Sequence, residues 1–141
     1  MATGKQVYTP NQVVTITLAS LANGGTAVSS AIDNSTNGYL SAEFQIRVRT
    51  GTVAGTPTVT VYILRSIDGG TDYDDSTNVN NPEVMRQIST PTATTTYTSS
   101  IRVESLPQYF KIMLVNNTGG ALDSTGSNHY IKYCAKTIQV S

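Results

Sequence analysis

The sequence predicts an all-β fold, an antiparallel β-sandwich of jelly-roll type with about eight strands. Three observations carry that expectation. Ser, Thr, Asn and Gly dominate the chain, while Leu, Glu and Lys, which fill helices, are scarce. Threonine is β-branched, so it loses little side-chain freedom in an extended strand and more in a helix. Apolar residues alternate with polar ones at period two in several runs, and clusters of Gly, Pro, Asn and Asp separate those runs at spacings typical of a sandwich.

Taken in chain order, residues 1–12, MATGKQVYTPNQ, are polar and carry no strong pattern, and they are expected as an N-terminal arm that orders on contact with a partner. A single domain is expected over 13–141. Val14, Ile16 and Leu18 alternate with Thr15 and Thr17, which predicts a half-buried strand over Val13–Leu18. Asn23-Gly24-Gly25 then turns the chain. In Tyr39–Thr50, Leu40, Ala42, Phe44, Ile46 and Val48 face one way and Glu43, Gln45, Arg47 and Arg49 the other. Thr58–Ile67 places Val59, Val61 and Ile63 on the core side, and its Tyr62 and Leu64 imply that the second face is covered as well. Val84–Ile88, Tyr97–Glu104 and Tyr109–Val115 are further strands, the last with Phe110, Ile112 and Leu114 inward. His129–Val140 is long, and its alternation slips between Tyr133 and Ile138, as a β-bulge would make it do. Spacing does not order the strands, so up-and-down and immunoglobulin-like connections stay open beside the jelly roll.

Composition narrows the function classes. Nine Lys+Arg balance nine Asp+Glu and no basic run occurs. Nucleic acid and anionic membrane are therefore unexpected partners, because both need clustered cations that displace counterions. No apolar run approaches a membrane span, and the polar N-terminus does not resemble a signal peptide, which implies synthesis in the cytoplasm. The single Cys134 cannot pair within the chain and reads as a small apolar strand residue.

The stretch SIDGGTDYDD, Ser66–Asp75, raises the question of chemistry. Asp68-Gly69-Gly70 is turn chemistry, since Asp bonds the following backbone and Gly takes left-handed conformations. Asp68, Asp72, Asp74 and Asp75 together form a candidate calcium loop, because clustered carboxylates can supply part of the oxygen shell Ca²⁺ requires. Their spacing departs from the regular calcium-loop pattern, and a solvated turn is the stronger reading. A catalytic carboxylate pair needs an enclosed site that separates two pKa values, which one Gly-rich loop does not offer. His129 is the one histidine, and its spacing from Cys134 sends the two side chains to opposite faces of a strand. No enzyme and no cofactor are expected. Two sequons, Asn34-Ser-Thr36 and Asn116-Asn-Thr118, are expected by chance in a chain this rich in Ser and Thr. There are eight tyrosines and no tryptophan. Tyr8, Tyr39 and Tyr73, with Pro10 and Asn11 of the arm, are candidate interface residues, and the same tyrosines could stack a glycan.

The arrangement SLANGGTAVSSAIDNSTNGYLSAEFQIRV, then VYILRSIDGGTDY, then NNTGGALDSTGSNHYIKY resembles small structural virion proteins of tailed bacteriophages, over residues 18–135. The resemblance implies a capsid decoration, or cement, protein located on the capsid surface of the virion and made in the host cytoplasm. Its implied partners are the major capsid protein or other virion proteins and further copies of itself, as a homotrimer. The alternatives are a neck, tail or fibre-associated virion protein, or a carbohydrate-binding β-sandwich module using the tyrosines and the Asp68–Asp75 loop.

Overall fold

The computed structural model describes residues 4–140. They form nine strands: β1 (Gly4–Val13), β2 (Thr26–Val28), β3 (Ile32–Asp33), β4 (Ser41–Arg49), β5 (Thr58–Ser66), β6 (Glu83–Ser89), β7 (Thr96–Val103), β8 (Tyr109–Asn117) and β9 (Tyr130–Val140), with one 3-10 turn at Gly126–Asn128. All pairings are antiparallel. One sheet has the order β1-β9-β4-β7, and the other has β2-β8-β5-β6 with β3 also on β8. Apart from the short β3, the strands pair as nested hairpins, β1 with β9, β2 with β8, β4 with β7 and β5 with β6. Folding that nested ribbon over itself produces the jelly roll, so the connection left open by spacing is resolved.

The core lies between the sheets, where the inward alternate residues of each strand meet. From β4 come Phe44, Ile46 and Val48, from β5 Val59, Val61 and Ile63, from β8 Phe110, Ile112 and Leu114, and from β9 Ile131 and Tyr133. Phe44 sits at the centre, 6.3 Å from Phe110 in an edge-on arrangement and 5.0 Å from Tyr133. Such aromatic pairs add to the area they bury, and deleting a buried ring costs about 3–5 kcal/mol.

Several expectations are corrected. Residues 4–12, expected as an arm, form most of β1 and pair along β9; residues 1–3 of the expected arm lie outside the described residues. The polar sequence hid this strand because one flank and most of its surface face water, so no apolar alternation was required. Val13–Leu18 forms no ladder beyond Val13, the last residue of β1. Val14 and Leu18 are buried in the connection that crosses from one sheet to the other. Alternation there records which side is dry, and it does not record a neighbouring strand. The register slip belongs to β1, between Thr9 and Gln12, opposite Tyr133–Ala135, while β9 runs unbroken against β4. β2 and β3 escaped detection because each is too short for a period to show. Ser29 bridges them along β8: its amide donates to the Ile112 carbonyl at 2.8 Å and its hydroxyl accepts from the Ile112 amide at 2.9 Å.

Side chains pin the connections. Asn116 is fully buried, and its amide group donates to the carbonyls of Leu21 and Gly120 at 2.8 and 2.9 Å. Asn34 is buried too, holding both the amide and the carbonyl of Tyr39. Both sequon asparagines are thus structural pins turned away from solvent. Gly119 and Gly120 lie against residues 52–54: a Cβ at Gly119 would stand 2.5 Å from the Ala54 nitrogen, and one at Gly120 2.1 Å from the Thr52 hydroxyl.

Candidate functional site

The two outer faces of the sandwich differ. On the β5–β8 sheet, Tyr62, Leu64, Met113 and Val115 point away from the main core and form a second buried cluster. The segment that follows β5 folds back over them, with Tyr73 packed on the cluster and the Lys111 ammonium 4.3 Å from its ring centroid. Burial pushes the Tyr73 hydroxyl up from its ordinary pKa. This is the cover that the apolar second face of β5 required.

That geometry also answers the question of the four aspartates. Asp68 accepts from the Ser66 hydroxyl at 2.8 Å and from the amides of Asp72 and Thr71 at 3.0 and 3.1 Å. Asp74 accepts from the Arg65 amide at 2.9 Å, and Asp75 accepts from the Thr77 amide and hydroxyl, each at 2.7 Å. The Asp72 amide and the Ser66 hydroxyl hold the Asp68 carboxyl below its ordinary pKa, as the Thr77 hydroxyl and amide do for Asp75. Asp68 and Asp75 are therefore spent on separate turns and Asp74 on tying the loop to the end of β5, and among the described residues no three His, Cys, Asp or Glu side chains converge as a metal site would require.

His129, which the spacing placed at the start of the last strand, immediately precedes β9 and is 8% exposed. Its Nδ1 accepts from the Arg49 amide at 3.2 Å and its Nε2 lies 2.8 Å from the Asp123 carbonyl oxygen, which assigns the proton to Nε2. Both ring nitrogens are committed to backbone, so the ring acts as a brace between β4 and the loop before β9. Asp123 is itself held below its ordinary pKa, first by the Asn128 side chain and then by the Thr125 amide.

Among the described residues, no segment covers the outer face of the β1–β9–β4–β7 sheet in this way. The register sets Tyr8, Lys136 and Ser41 in one row, Cys134, Glu43 and Arg102 in the next, then Val13, Lys132, Gln45 and Ser100, then Tyr130, Arg47 and Thr98. Tyr130 anchors its end of the face: its hydroxyl donates to Gln45 at 2.7 Å, and Arg47 and Lys132 approach its ring at 5.2 and 4.6 Å. Arg102 pairs with Glu104 at 3.3 Å and Arg49 lies 4.0 Å from Asp123. Arg47, Lys132 and Lys136 remain as the cations that set the charge of this face, with Glu43 the acid within its rows. The near-zero net charge of the chain conceals this, because the aspartates of the Asp68–Asp75 loop are gathered on the other side.

Between the rows runs a depression of about 420 Å³, lined by Tyr8, Ser41, Glu43, Arg102, Cys134 and Lys136. A shallower one of about 280 Å³ adjoins it across Glu43 and Cys134. Cys134, read from the sequence as a small apolar strand residue, is half-buried on this outer face. Beyond the Ser41 row the β1–β9 ribbon continues without β4, from Thr137 to Val140 against Gly4–Val7. Tyr8, Ile138 and Val140 are exposed along it.

Of the residues expected at an interface, Tyr8, Pro10 and Asn11 lie on or beside this open face. Asn11 has φ +57° in the bulge of β1, so the bulge rather than a free arm sets its direction. Tyr39 and Tyr73 are not brought to it. Tyr39 packs against the main core and Tyr73 against the second cluster. The sequence reading missed Lys132, Lys136, Arg47 and Tyr130; the polar members of the period-two pattern in β4 and β9 were the available signal.

No family model matches the chain, and no curated protein matches it. Among solved structures it is similar to the CBM35 from Cellvibrio japonicus Abf62, with 14% identity and a TM-score of 0.45 over 99% of this chain and 98% of that one. It is also similar to a family 35 carbohydrate binding module from an environmental isolate, with 16% identity and a TM-score of 0.44 over 95% and 90% of the two chains. A third similarity, at 16% identity and a TM-score of 0.49, covers 99% of this chain and 20% of BuGH86wt in complex with neoagarooctaose. The jelly-roll assignment rests on the strand pairing of the chain itself.

Proposed function

We propose that this chain is a non-catalytic structural protein that docks through the open face of the β1–β9–β4–β7 sheet, as a capsid decoration protein of the tailed-phage type that its motifs resemble. The observation that carries this reading is the inequality of the two outer faces: one is sealed by the chain's own loop, and the other is bare, grooved and cationic, with an apolar ribbon extending past its end. A bare face that joins exposed apolar side chains to a polar surround has the anatomy of an interface. Reinforcement follows from burying such faces at junctions between coat subunits, so that loss of one subunit must break many contacts together. The partners are the major capsid protein and further copies of this chain.

The test is saturable binding to undecorated shells, with symmetry-related stoichiometry and a raised shell melting temperature. Reversing the charge at Arg47→Glu and Lys132→Glu should weaken that binding at least about tenfold, since rim and face charges set encounter and register. Failure of the native protein to bind shells overturns the reading. Binding restricted to isolated necks, tails or fibres moves the docking site to that part of the virion.

A second reading, a carbohydrate-binding module, is favoured by the depression itself, where the ring of Tyr8 stands beside the polar groups of Glu43, Arg102 and Lys136. An aromatic face with hydrogen-bonding groups beside it suits a sugar ring. Calorimetry against an oligosaccharide panel tests it: saturable binding that is lost in Tyr8→Ala and Glu43→Gln favours this reading over the first.

A further inference from the structure

We infer that the free edge of β7 takes an extended segment of a partner polypeptide by strand addition, with alternate side chains of that segment seated in the cleft where β6 and β7 splay apart. Antiparallel pairing alternates which residues turn their backbone groups toward a neighbour. The Arg49 amide donates to His129 and the Arg49 carbonyl accepts from the Asp123 amide, so the backbone of Arg49 faces away from β7. Its register partner Thr96, and by alternation Thr98, Ser100 and Arg102, therefore turn amide and carbonyl away from β4. Among the described residues no strand or loop backbone pairs with that edge.

The other edges are guarded. β1 carries Pro10, the bulge at Asn11 and Lys5. β6 is bulged at Met85, where its register with β5 shifts, and β2 and β3 are short and interrupted by residues 29–31. β7 runs eight residues in unbroken register with β4, holds neither Gly nor Pro, and has Arg102 as its one charge. Beside it, Ile63, Met85, Ile101 and Val103 line a cleft of about 420 Å³ between the sheets, and the Arg65–Glu83 and Arg102–Glu104 pairs stand at its rim. Arg86 spans the two edges: its Nε donates to the Ser99 hydroxyl at 2.9 Å, and it has no carboxylate partner among the described residues.

Residues opposite one another in adjacent strands point to the same face. A segment added along β7 thus sends its residues opposite Ile101 and Val103 into the cleft and its residue opposite Ser99 toward Arg86. Backbone bonds supply affinity in such an addition, and the places taken by alternate side chains supply selectivity. The partner that fits has two apolar side chains at alternate positions and a carboxylate two residues further along. A second copy of β7 does not fit, because Ser99 lies near the middle of the strand and pairing near full overlap brings the two Arg86 side chains together.

Titrating the full, isotope-labelled chain with the blocked peptide Thr-Val-Thr-Val-Thr-Glu-Thr tests this by amide chemical shift and hydrogen exchange. In antiparallel pairing its two Val and its Glu lie opposite Val103, Ile101 and Ser99. Saturable shifts should centre on Thr98, Ser100 and Arg102, whose amides should exchange more slowly, with an affinity of about 1 mM or tighter. A peptide with Lys in place of Glu should bind at least about fivefold more weakly, and Arg86→Glu should reverse that preference. Ser100→Pro removes an outward amide that the β4 ladder does not use, so it should abolish binding in a chain whose circular dichroism stays native. Should that variant fail to fold, the Arg86→Glu reversal decides. Absence of saturable shifts at about 5 mM peptide overturns the inference. So does binding that Ser100→Pro leaves unchanged, a charge preference that Arg86→Glu leaves unchanged, or shifts confined to the open face. No shells enter the experiment, so its outcome is separate from that of the decoration reading.

Discussion

Asn116 illustrates what a single residue contributes here. It is an amide in a dry position, and its side chain donates to the carbonyls of Leu21 and Gly120 and accepts from the amide of the buried Thr118. Replacing it by alanine removes the acceptor of the buried Thr118 amide and takes one of two donors from each carbonyl, and a buried unsatisfied polar group costs about 1–3 kcal/mol. Asn116→Ala should therefore shift the urea midpoint by an amount equivalent to at least about 2 kcal/mol with an unchanged slope. The aspartates supply a second prediction at this scale. Asp68 and Asp75 have carboxyls lowered from their ordinary 3.8 by turn hydrogen bonds, so the folded state binds their protons less readily than the unfolded chain. Their contribution is present above the unfolded pKa and is lost as pH falls through the lower folded value. Acid titration of stability should thus fall away below about pH 4, and Asp68→Asn should flatten part of that fall. An unchanged acid limb in the variant would show that the turn does not depend on the charge.

At the scale of elements, β5 and its neighbour β8 are buried on both faces, and the loop after β5 lies where it does because of that. Tyr62 and Leu64 would lie bare on the outer sheet face without Tyr73. Tyr73→Ala should release residues 67–82, which limited proteolysis would detect as new cleavage there. The loss of a half-buried ring should cost about 1–3 kcal/mol, with increased binding of an apolar dye. β1 is a different case, a strand carried mainly by its pairing with β9. Few of its side chains reach the core, and its amides and carbonyls need that partner. Hydrogen exchange should be fastest for the overhanging residues 4–7 and 137–140, where the ribbon is only two strands wide.

At the scale of the molecule, the nested pairing has a kinetic consequence. β1 pairs with β9 across nearly the whole chain, and β2 with β8 across most of it. Long loops must close before these contacts form, so refolding should take milliseconds to seconds, as stopped-flow fluorescence of the tyrosines would record. Phe44 and Phe110 join the two sheets at the centre, and Phe44→Ala should remove about 3–5 kcal/mol and loosen the sandwich as a whole. The segregation of charge is also a property of this scale: a chain with no net charge becomes a two-faced particle once folded.

What the sequence alone determined was the inward half of each long strand. The alternation over Ser41–Arg49, Thr58–Ser66 and Tyr109–Asn117 is a direct imprint of a surface with one dry side or two, and the fold class followed from repeating it. The turn role of Asp68-Gly69-Gly70 was equally local, since a carboxylate bonding its own next amides needs no distant partner. The strand order, the burial of Asn34, Asn116 and His129, the pairing of β1, and the gathering of Lys132, Lys136 and Arg47 beside Tyr130 were decided only by tertiary structure. Each depends on contacts between residues far apart in the chain. Local periodicity records how a residue meets water and does not record which other residue it meets.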